Sequence, residues 1–523
     1  MTQSLSRSET AELLSRLSAE LPPKSAFLPV SAALERAAEL KEAGIEGALR
    51  SYLSMPQSTM IIANPPLHHT QVDCAGTAVD LKVRSFAIRA CVTEGQIVSG
   101  EVDPYTLFFA GLFGRLPKGE EKGLWSQAIE GAFFRALGFE EKPREKRTGD
   151  AGLLPEIGEF VRTHPGLGSD VTVQFFLMKG KADRWATEGQ GHGISNRRPP
   201  MELLADMIDV QMEAVAVGGC TAYMNHLLRQ NPRLSASDLV QRTRAFLESE
   251  TGRGSGALGI SYGLLLGRPA NEAETVILQR MGAIQTHHGS AGSNMVARYL
   301  TTLHAASVRD VFLAASLTME GYRHFGAIHD MTHFVRDIEK LSSGERDRAI
   351  REKVLTGGLP TFGHPEISAA GRSGQIEQDP RPAIYLTPLF RALDAGEIAL
   401  DDRQRHRLGI VERIYQIAFV EGVVKPGREG QEPLRLTPNT DYGAWAVQEA
   451  LGIADTDRTY LTIIFRGFGW MMDVREQLQQ PIVRPVIAPD PAIVPKPGDD
   501  HLIPDVVRGC HDRLARGKAF SRR

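Results

Sequence analysis

An arginine in a strongly apolar segment is the first group in this sequence whose chemistry needs an explanation. Arg466 lies within residues 463–472, where nearly every neighbour is apolar. A guanidinium stays charged, and burying it costs free energy unless an anion compensates the charge. The pattern predicts either a structural ion pair, for which the nearby Asp473 is a candidate, or a site for an anionic ligand.

One histidine follows the apolar face of a predicted helix. Ile277, Met281 and Ile284 mark that face, and His288 continues the same helical spacing. His288 should therefore point inward, either as a core residue with satisfied hydrogen bonds or as a functional imidazole.

The densest histidine region leaves two interpretations open. His329 and His333 are four residues apart, so on one helix they could bind a metal ion, with His324 or Asp330 completing its coordination. No Glu lies between them in the metalloprotease pattern, which favours the alternative that they are separate acid–base or structural groups.

Two loops place further chemical groups next to Gly and Pro residues. His364 lies in a turn that Asp379-Pro380-Arg381 follows at some distance, and Asp441 precedes a helical pattern at residues 444–450. Each motif alone is typical of a turn or a helix cap.

Residues 254–259 match G-x-G-x-x-G, but a helix end and not a strand precedes them, which favours close helix packing over dinucleotide binding.

The elements that must position these groups are mainly helical. Ser235 is a good N-cap for a helix that ends at Gly252, and residues 308–322 repeat apolar side chains at helical spacing. Residues 103–116 also have a helical pattern, whereas residues 83–98 favour a pair of strands. The sequence therefore predicts a mainly α protein.

Composition narrows the classes of function. The chain has 60 Lys and Arg against 63 Asp and Glu, a formal charge of -3, and no long block of one sign, which argues against nucleic acid or a membrane surface as a partner. No signal peptide or membrane span is predicted. The four cysteines have neither zinc-site nor disulfide-scaffold spacing, which favours the cytoplasm: Cys74, Cys91, Cys220 and Cys510.

Taken in order, these segments resemble the motif series of the citrate synthase family from about residue 200 to 485, with weaker similarity at 94–117. His288 matches the histidine of the family's H-E-x-N-A-S-T-like helix, and His329 matches that of L-H-G-G-A-N. His364 matches the histidine of P-G-[FY]-G-H. Asp441 matches the aspartate of N-V-D.

Three arginines complete the series. Arg381 matches the family's D-P-R motif, Arg466 matches R-x-x-G-W, and Arg484 matches a late R-P motif. About eight extra residues separate His364 from Arg381, so Arg372 is an alternative carboxylate ligand. Because the whole functional set is present, the resemblance implies an active enzyme.

The resemblance also implies a fold and a division into domains. The fold would be mainly α and citrate synthase-like, with a large helical domain and a smaller one that closes over a cleft. Residues 1–190 would form an N-terminal region that belongs partly to the large domain. Residues 191–329 and 439–523 would form the large domain, and residues 330–438 the small one.

The implied reaction is an acyl transfer that makes a carbon–carbon bond between an acyl-CoA and oxaloacetate or a related 2-oxo acid. Asp441 would be the base, His329 would stabilise the enolate, and His364 would polarise the ketone. His288 would orient the keto acid, whose carboxylates three arginines would hold: Arg381, Arg466 and Arg484. The alternatives are citryl-CoA lyase-type cleavage and a polycarboxylate-binding relative without turnover.

The sequence departs from the family pattern at positions that, by the resemblance, would lie around the thioester and coenzyme A. Asp330 and Met331 replace glycines, Thr361 replaces another, and Pro365 stands where a basic residue is common. These replacements predict poor use of acetyl-CoA relative to another acyl donor. No metal or resident cofactor is implied, and coenzyme A would enter only as the thioester.

A homodimer is the last expectation. Residues 481–497 hold six prolines, which favours an extended arm that needs a surface to lie on. The resemblance implies that Arg484, next to this arm, reaches into the active site of the partner subunit.

Overall fold

A computed structural model describes residues 5–18, 69–74, 77–82, 102–113, 115–139, 152–188, 200–286, 292–303, 307–319, 326–363, 381–425 and 434–478. Seventeen α-helices lie in this part of the chain, and the predicted mainly α, citrate synthase-like fold class is confirmed. In chain order, α1 to α9 are Arg7–Ser18, Pro104–Phe113, Glu121–Leu137, Leu153–Thr163, Ser169–Glu188, Pro200–Gln230, Ala236–Gly252, Ala257–Leu266 and Glu272–Gln285. Helices α10 to α17 are Gly292–Thr302, Val308–Met319, Gly326–Ile338, Ser343–Thr356, Arg381–Asp394, Asp402–Tyr415, Thr440–Ala450 and Arg458–Gln477.

Strands are a minor part of the described structure. β1 (His69–Cys74) pairs antiparallel with β2 (Thr77–Lys82), and β3 (Val424–Lys425) pairs antiparallel with β4 (Leu434–Arg435). The strand pair predicted at residues 83–98 lies outside the described residues. A π-helical segment, Gln416–Val420, extends α15, and a 3-10 turn, Asp455–Asp457, precedes α17.

Local sequence signals set several helix limits. Ser235 caps α7 in a capping box with Asp238, and the helix ends at Gly252 as predicted. The helical patterns at 103–116 and 308–322 correspond to α2 and α11, although residues 320–322 lie outside the described part. The glycine motif at 254–259 joins α7 to α8, so it has no preceding strand.

Helix α17 is the centre of the core. It packs against α2, α6, α9, α10, α11 and α12. Tyr460 donates to the carbonyl of Val215 at 2.8 Å, and Gln211 Nε2 donates to the carbonyl of Ile464 at 2.7 Å. A Cβ on Gly467 would lie 2.2 Å from Gln211 Oε1. Only a glycine here allows α6 to approach α17 beside Arg466.

The two predicted limits of the small domain, residues 330 and 438, lie in different kinds of structure. Residue 330 lies within α12, and residue 438 lies just before the N-cap of α16. Helices α13, α14 and α15 lie between these limits. Among the described helices, none combines the length and apolar character that crossing a membrane requires.

Candidate active site

The structure describes four of the seven predicted site residues. His329 lies on α12, Arg381 begins α14, Asp441 is on α16 and Arg466 is on α17. The remaining predicted residues and alternatives lie outside the described part of the chain: His288, His324, His364, Arg372 and Arg484.

A buried polar stripe follows one face of α17. With about 3.6 residues per turn, five polar side chains line up along this face of an otherwise apolar helix. All are buried, and they are Thr459, Thr462, Arg466, Asp473 and Gln477. Burying polar groups costs free energy unless hydrogen bonds compensate, so the partners of these five side chains need to be identified.

Arg466 belongs to a buried network at this stripe. Its Nη1 donates to Asn294 Oδ1 at 3.1 Å, and Asn294 Nδ2 donates to Asp473 Oδ2 at 2.5 Å. Arg298 Nε forms an ion pair with Asp473 Oδ1 at 2.6 Å. The predicted burial of Arg466 is confirmed. Asp473, its candidate structural partner, forms this ion pair with Arg298 and reaches Arg466 through Asn294.

His329 is fixed to the same stripe. Its Nε2 lies 2.6 Å from Thr459 Oγ1. Thr459 is seven residues before Arg466, so the two side chains share a face about 10 Å apart along the helix axis. The half-buried imidazole is thus held on the Arg466 face of α17.

The metal interpretation gains no support from the described residues. His329 and His333 lie on one helix as predicted, but His333 is exposed. Within the described part of the chain, no three His, Cys, Asp or Glu side chains lie close enough to hold a metal ion.

Helix α16 is tied to α12 by a buried tryptophan. Trp445 Nε1 donates to Thr332 Oγ1 at 2.9 Å, and Thr332 donates to the carbonyl of Ile328 at 3.0 Å. The guanidinium of Arg458 lies 4.8 Å from the centre of the Trp445 ring. These contacts set the position of Asp441, one turn before Trp445, relative to the helix of His329.

Asp441 lies in the first turn of α16. Asn439 is the N-cap, and its Oδ1 accepts from the backbone N–H of Asp441 at 2.9 Å. The helix therefore begins at Thr440, earlier than the helical pattern at residues 444–450 predicts. The partial positive charge of a helix N-terminus stabilises an ionised carboxylate in this position.

The chain just before His364 is pinned to the chain just before Asp441. Gly363 N–H donates to the carbonyl of Thr437 at 2.7 Å, and Asn439 Nδ2 donates to the carbonyl of Gly363 at 3.3 Å. Gly363 is therefore anchored to the N-cap of the helix that carries Asp441.

Thr361 takes a backbone conformation that suits glycine. Its φ is 61°, in the left-handed region, and the residue is buried. The carbonyl of Thr361 accepts from Asn439 N–H at 3.0 Å, which holds this conformation in place. A β-branched residue is strained there, whereas glycine takes this conformation without strain.

Arg381 and Asp441 begin neighbouring helices. Tyr385 donates to the carbonyl of Thr440 at 2.5 Å, which joins the first turns of α14 and α16. A Cβ on Gly443 would lie 2.6 Å from the Tyr385 ring, so glycine permits this approach. Arg381 is buried at this junction.

Two residues that position the site were missed in the sequence. Thr459 holds His329, and Asn294 links Arg466 to Asp473. Thr459 had a readable signal, since its offset of seven from Arg466 places it on the same helical face. Asn294 had none, because its role depends on the packing of α10 against α17.

A carboxylate, an imidazole and two guanidinium groups therefore lie on four helices that contact one another in series, α14 to α16, α16 to α12 and α12 to α17. Guanidinium groups bind carboxylates in paired hydrogen bonds. A carboxylate can take a proton, and an imidazole can stabilise the charge that results.

Comparisons with known proteins give a consistent result. A family model, the citrate synthase C-terminal domain, matches residues 211–486, slightly more than half of the chain. Citrate synthase from Thermoplasma acidophilum, solved with carboxymethyl coenzyme A and oxaloacetate, is 16% identical with a TM-score of 0.51, covering 77% of this chain and 88% of that one. Citrate synthase from Pyrobaculum aerophilum is 14% identical with a TM-score of 0.50, covering 82% and 97%. At these identities the two structures show the fold alone. A search of curated proteins found no match.

Proposed function

The chain belongs to the citrate synthase family, and from this premise we propose that it condenses an acyl-CoA with oxaloacetate or a related 2-oxo acid to a citrate-type tricarboxylate. The observation that carries the proposal is the hydrogen bond between His329 and Thr459. It fixes the imidazole on the helix face that also carries Arg466, which combines an acid–base group with an anion-binding group.

The arginines would hold the acid. Arg466 lies buried on α17 and Arg381 at the start of α14. A carboxylate bound there would accept directional hydrogen bonds from the guanidinium groups. We assign Arg484 and His288 to the same acid from the family resemblance alone.

His329 would stabilise the enolate as a neutral donor. If the Thr459 hydroxyl donates to Nε2, the proton of the neutral ring is on Nδ1. We therefore assign Nδ1–H to the thioester oxygen, where negative charge develops.

Asp441 would take the proton from the α-carbon. A carboxylate is a weak base for a proton on carbon, so enolate stabilisation by His329 must accompany the transfer. The enol carbon then forms a bond to the ketone carbon, and the ketone oxygen takes a proton from His364. Water cleaves the thioester and releases the coenzyme A thiol.

The choice of acyl donor follows from the residues beside these groups. Thr361, Asp330 and Met331 put side chains where the family has glycines, which would crowd the approach of backbone to thioester. We therefore propose a donor other than acetyl-CoA.

The protein would act as a homodimer with Arg484 donated to the partner's site. The test mixes inactive Asp441→Asn and Arg484→Ala chains by refolding them together, so that about half of the dimers are mixed. Donation in trans leaves one intact site in each mixed dimer, and activity returns to about a quarter of wild type. An inactive mixture would refute the shared site.

The reaction is tested by incubating the protein with oxaloacetate or 2-oxoglutarate and several acyl-CoAs, following free thiol and product mass, with citryl-CoA included for cleavage. Asp441→Asn should lower turnover by about a hundredfold or more while keto-acid binding persists. Asp402→Asn is the matched control, because Asp402 also lies in the first turn of a helix but is exposed. Full turnover in Asp441→Asn would remove that residue from the mechanism.

A further inference from the structure

Thr462 is a buried polar side chain on the α17 stripe that the proposed reaction does not use. The residue has no exposed surface. Its Oγ1 is buried and has no hydrogen-bond partner among the described residues. A buried hydroxyl that makes no hydrogen bond is costly, so its presence calls for an explanation.

Four other buried helical threonines satisfy their hydroxyls within their own helix. Each hydroxyl donates to the carbonyl four residues earlier, in Thr221, Thr243, Thr301 and Thr332, at 2.8, 2.8, 2.7 and 3.0 Å. This internal bond satisfies a buried hydroxyl without another residue. Thr462 does not make it.

Thr462 lies on the same face of α17 as two residues of the candidate site. It lies one turn before Arg466 and one turn after Thr459, which holds His329. Viewed along the helix axis, Thr462 lies between Arg466 and Phe465. Arg466 contacts Asn294 on α10, and Phe465 packs against Gly282 on α9. Thr462 therefore faces the junction between α9 and α10, on the Arg466 side of α17.

We propose that the Thr462 hydroxyl binds an oxygen of the polycarboxylate whose carboxylate Arg466 holds. This inference rests on the proposed function and adds a specificity contact to it. The ligand class is an acid with an oxygen about one helical turn from the carboxylate at Arg466. Acids with an alkyl group at that point would leave the hydroxyl unsatisfied and bind less well.

The test uses citrate as the probe and isothermal titration with thermal melting as readouts. Thr462→Val keeps the shape and removes the hydroxyl. Because no internal bond is lost, the free protein should melt at the wild-type temperature or above. Citrate should bind about tenfold or more weakly, since a hydrogen bond to a charged acceptor is lost.

Two matched variants isolate the hydroxyl. Thr462→Ser keeps it and should bind citrate within about threefold of wild type. Thr243→Val loses a buried hydroxyl on α7 and should leave citrate affinity unchanged. A Ser variant as weak as the Val variant would show that citrate affinity depends on the packing of this side chain and not on its hydroxyl, and would overturn the proposal.

The remaining outcomes separate this inference from the proposed function. If Arg466→Leu abolishes citrate binding while Thr462→Val binds like wild type, the acid site stands and the role of Thr462 is refuted. If the ligand-free Thr462→Val protein melts well below wild type, the hydroxyl makes a hydrogen bond within the protein. This result would also refute the proposed role of Thr462. If citrate does not bind the wild-type protein, the role of Thr462 in citrate binding fails, whereas the proposed reaction is judged separately by the donor screen.

Discussion

Replacing Thr459 with Val tests the orientation of His329. The substitution keeps the volume of a buried side chain and removes the hydroxyl that lies 2.6 Å from His329 Nε2. An unpaired buried acceptor costs about 1–3 kcal/mol. Because the imidazole is only half-buried, we expect about 1 kcal/mol less free energy of unfolding, a loss that leaves the protein folded.

The catalytic effect should be larger than the stability effect. Without the hydroxyl, the ring loses the contact that fixes its plane and that, with Thr459 as the donor, keeps its proton on Nδ1. Removing a whole oxyanion donor costs about a hundredfold to a thousandfold in kcat. The imidazole itself persists in Thr459→Val, so we expect about a tenfold to a hundredfold fall in kcat.

Steady-state kinetics with the donor found in the screen measures this effect. KM for the keto acid should change little, because Arg466 is untouched, and Thr459→Ser should restore most of kcat. Thr243→Val controls for loss of a buried threonine hydroxyl elsewhere. Wild-type kcat in a folded Thr459→Val protein would refute the role of this hydrogen bond.

Three other substitutions have defined outcomes. Arg466→Leu should keep the helical circular dichroism spectrum and weaken citrate binding by about a hundredfold or more, whereas unfolding without ligand loss would make Arg466 structural. Burial raises the pKa of the Asp457 carboxyl in the folded protein by more than the hydrogen bond from Ser169 lowers it. Wild type therefore loses stability as the pH rises from the pKa of this group in the unfolded chain through its pKa in the folded protein. Asp457→Asn should gain stability relative to wild type as the pH rises above about 4 in urea titrations, and a constant difference would contradict this. Gly443→Ala should lower the free energy of unfolding by about 1–3 kcal/mol, because its Cβ would meet Tyr385, and an unchanged urea midpoint would show that the two helices separate freely.

The sequence predicted the features that depend on local pattern. The cap at Ser235 and the burial of Arg466 needed only neighbouring residues. The start of α16 was predicted too late, although Asn439 is a readable N-cap. The contact of Thr459 with His329 joins residues far apart in the chain, so periodicity alone could give the helix face but not the partner.

The central position of α17 has a consequence for how the protein is made. This helix comprises Arg458–Gln477, yet it packs against α2, which comprises Pro104–Phe113. Contacts with such large sequence separation form slowly, and they cannot form before both segments have left the ribosome. The apolar faces of α2, α6 and α11 that α17 covers therefore stay exposed until α17 has been synthesised. We expect nascent chains that end before residue 458 to bind chaperones and to stay sensitive to proteases, and chains that include α17 to become resistant.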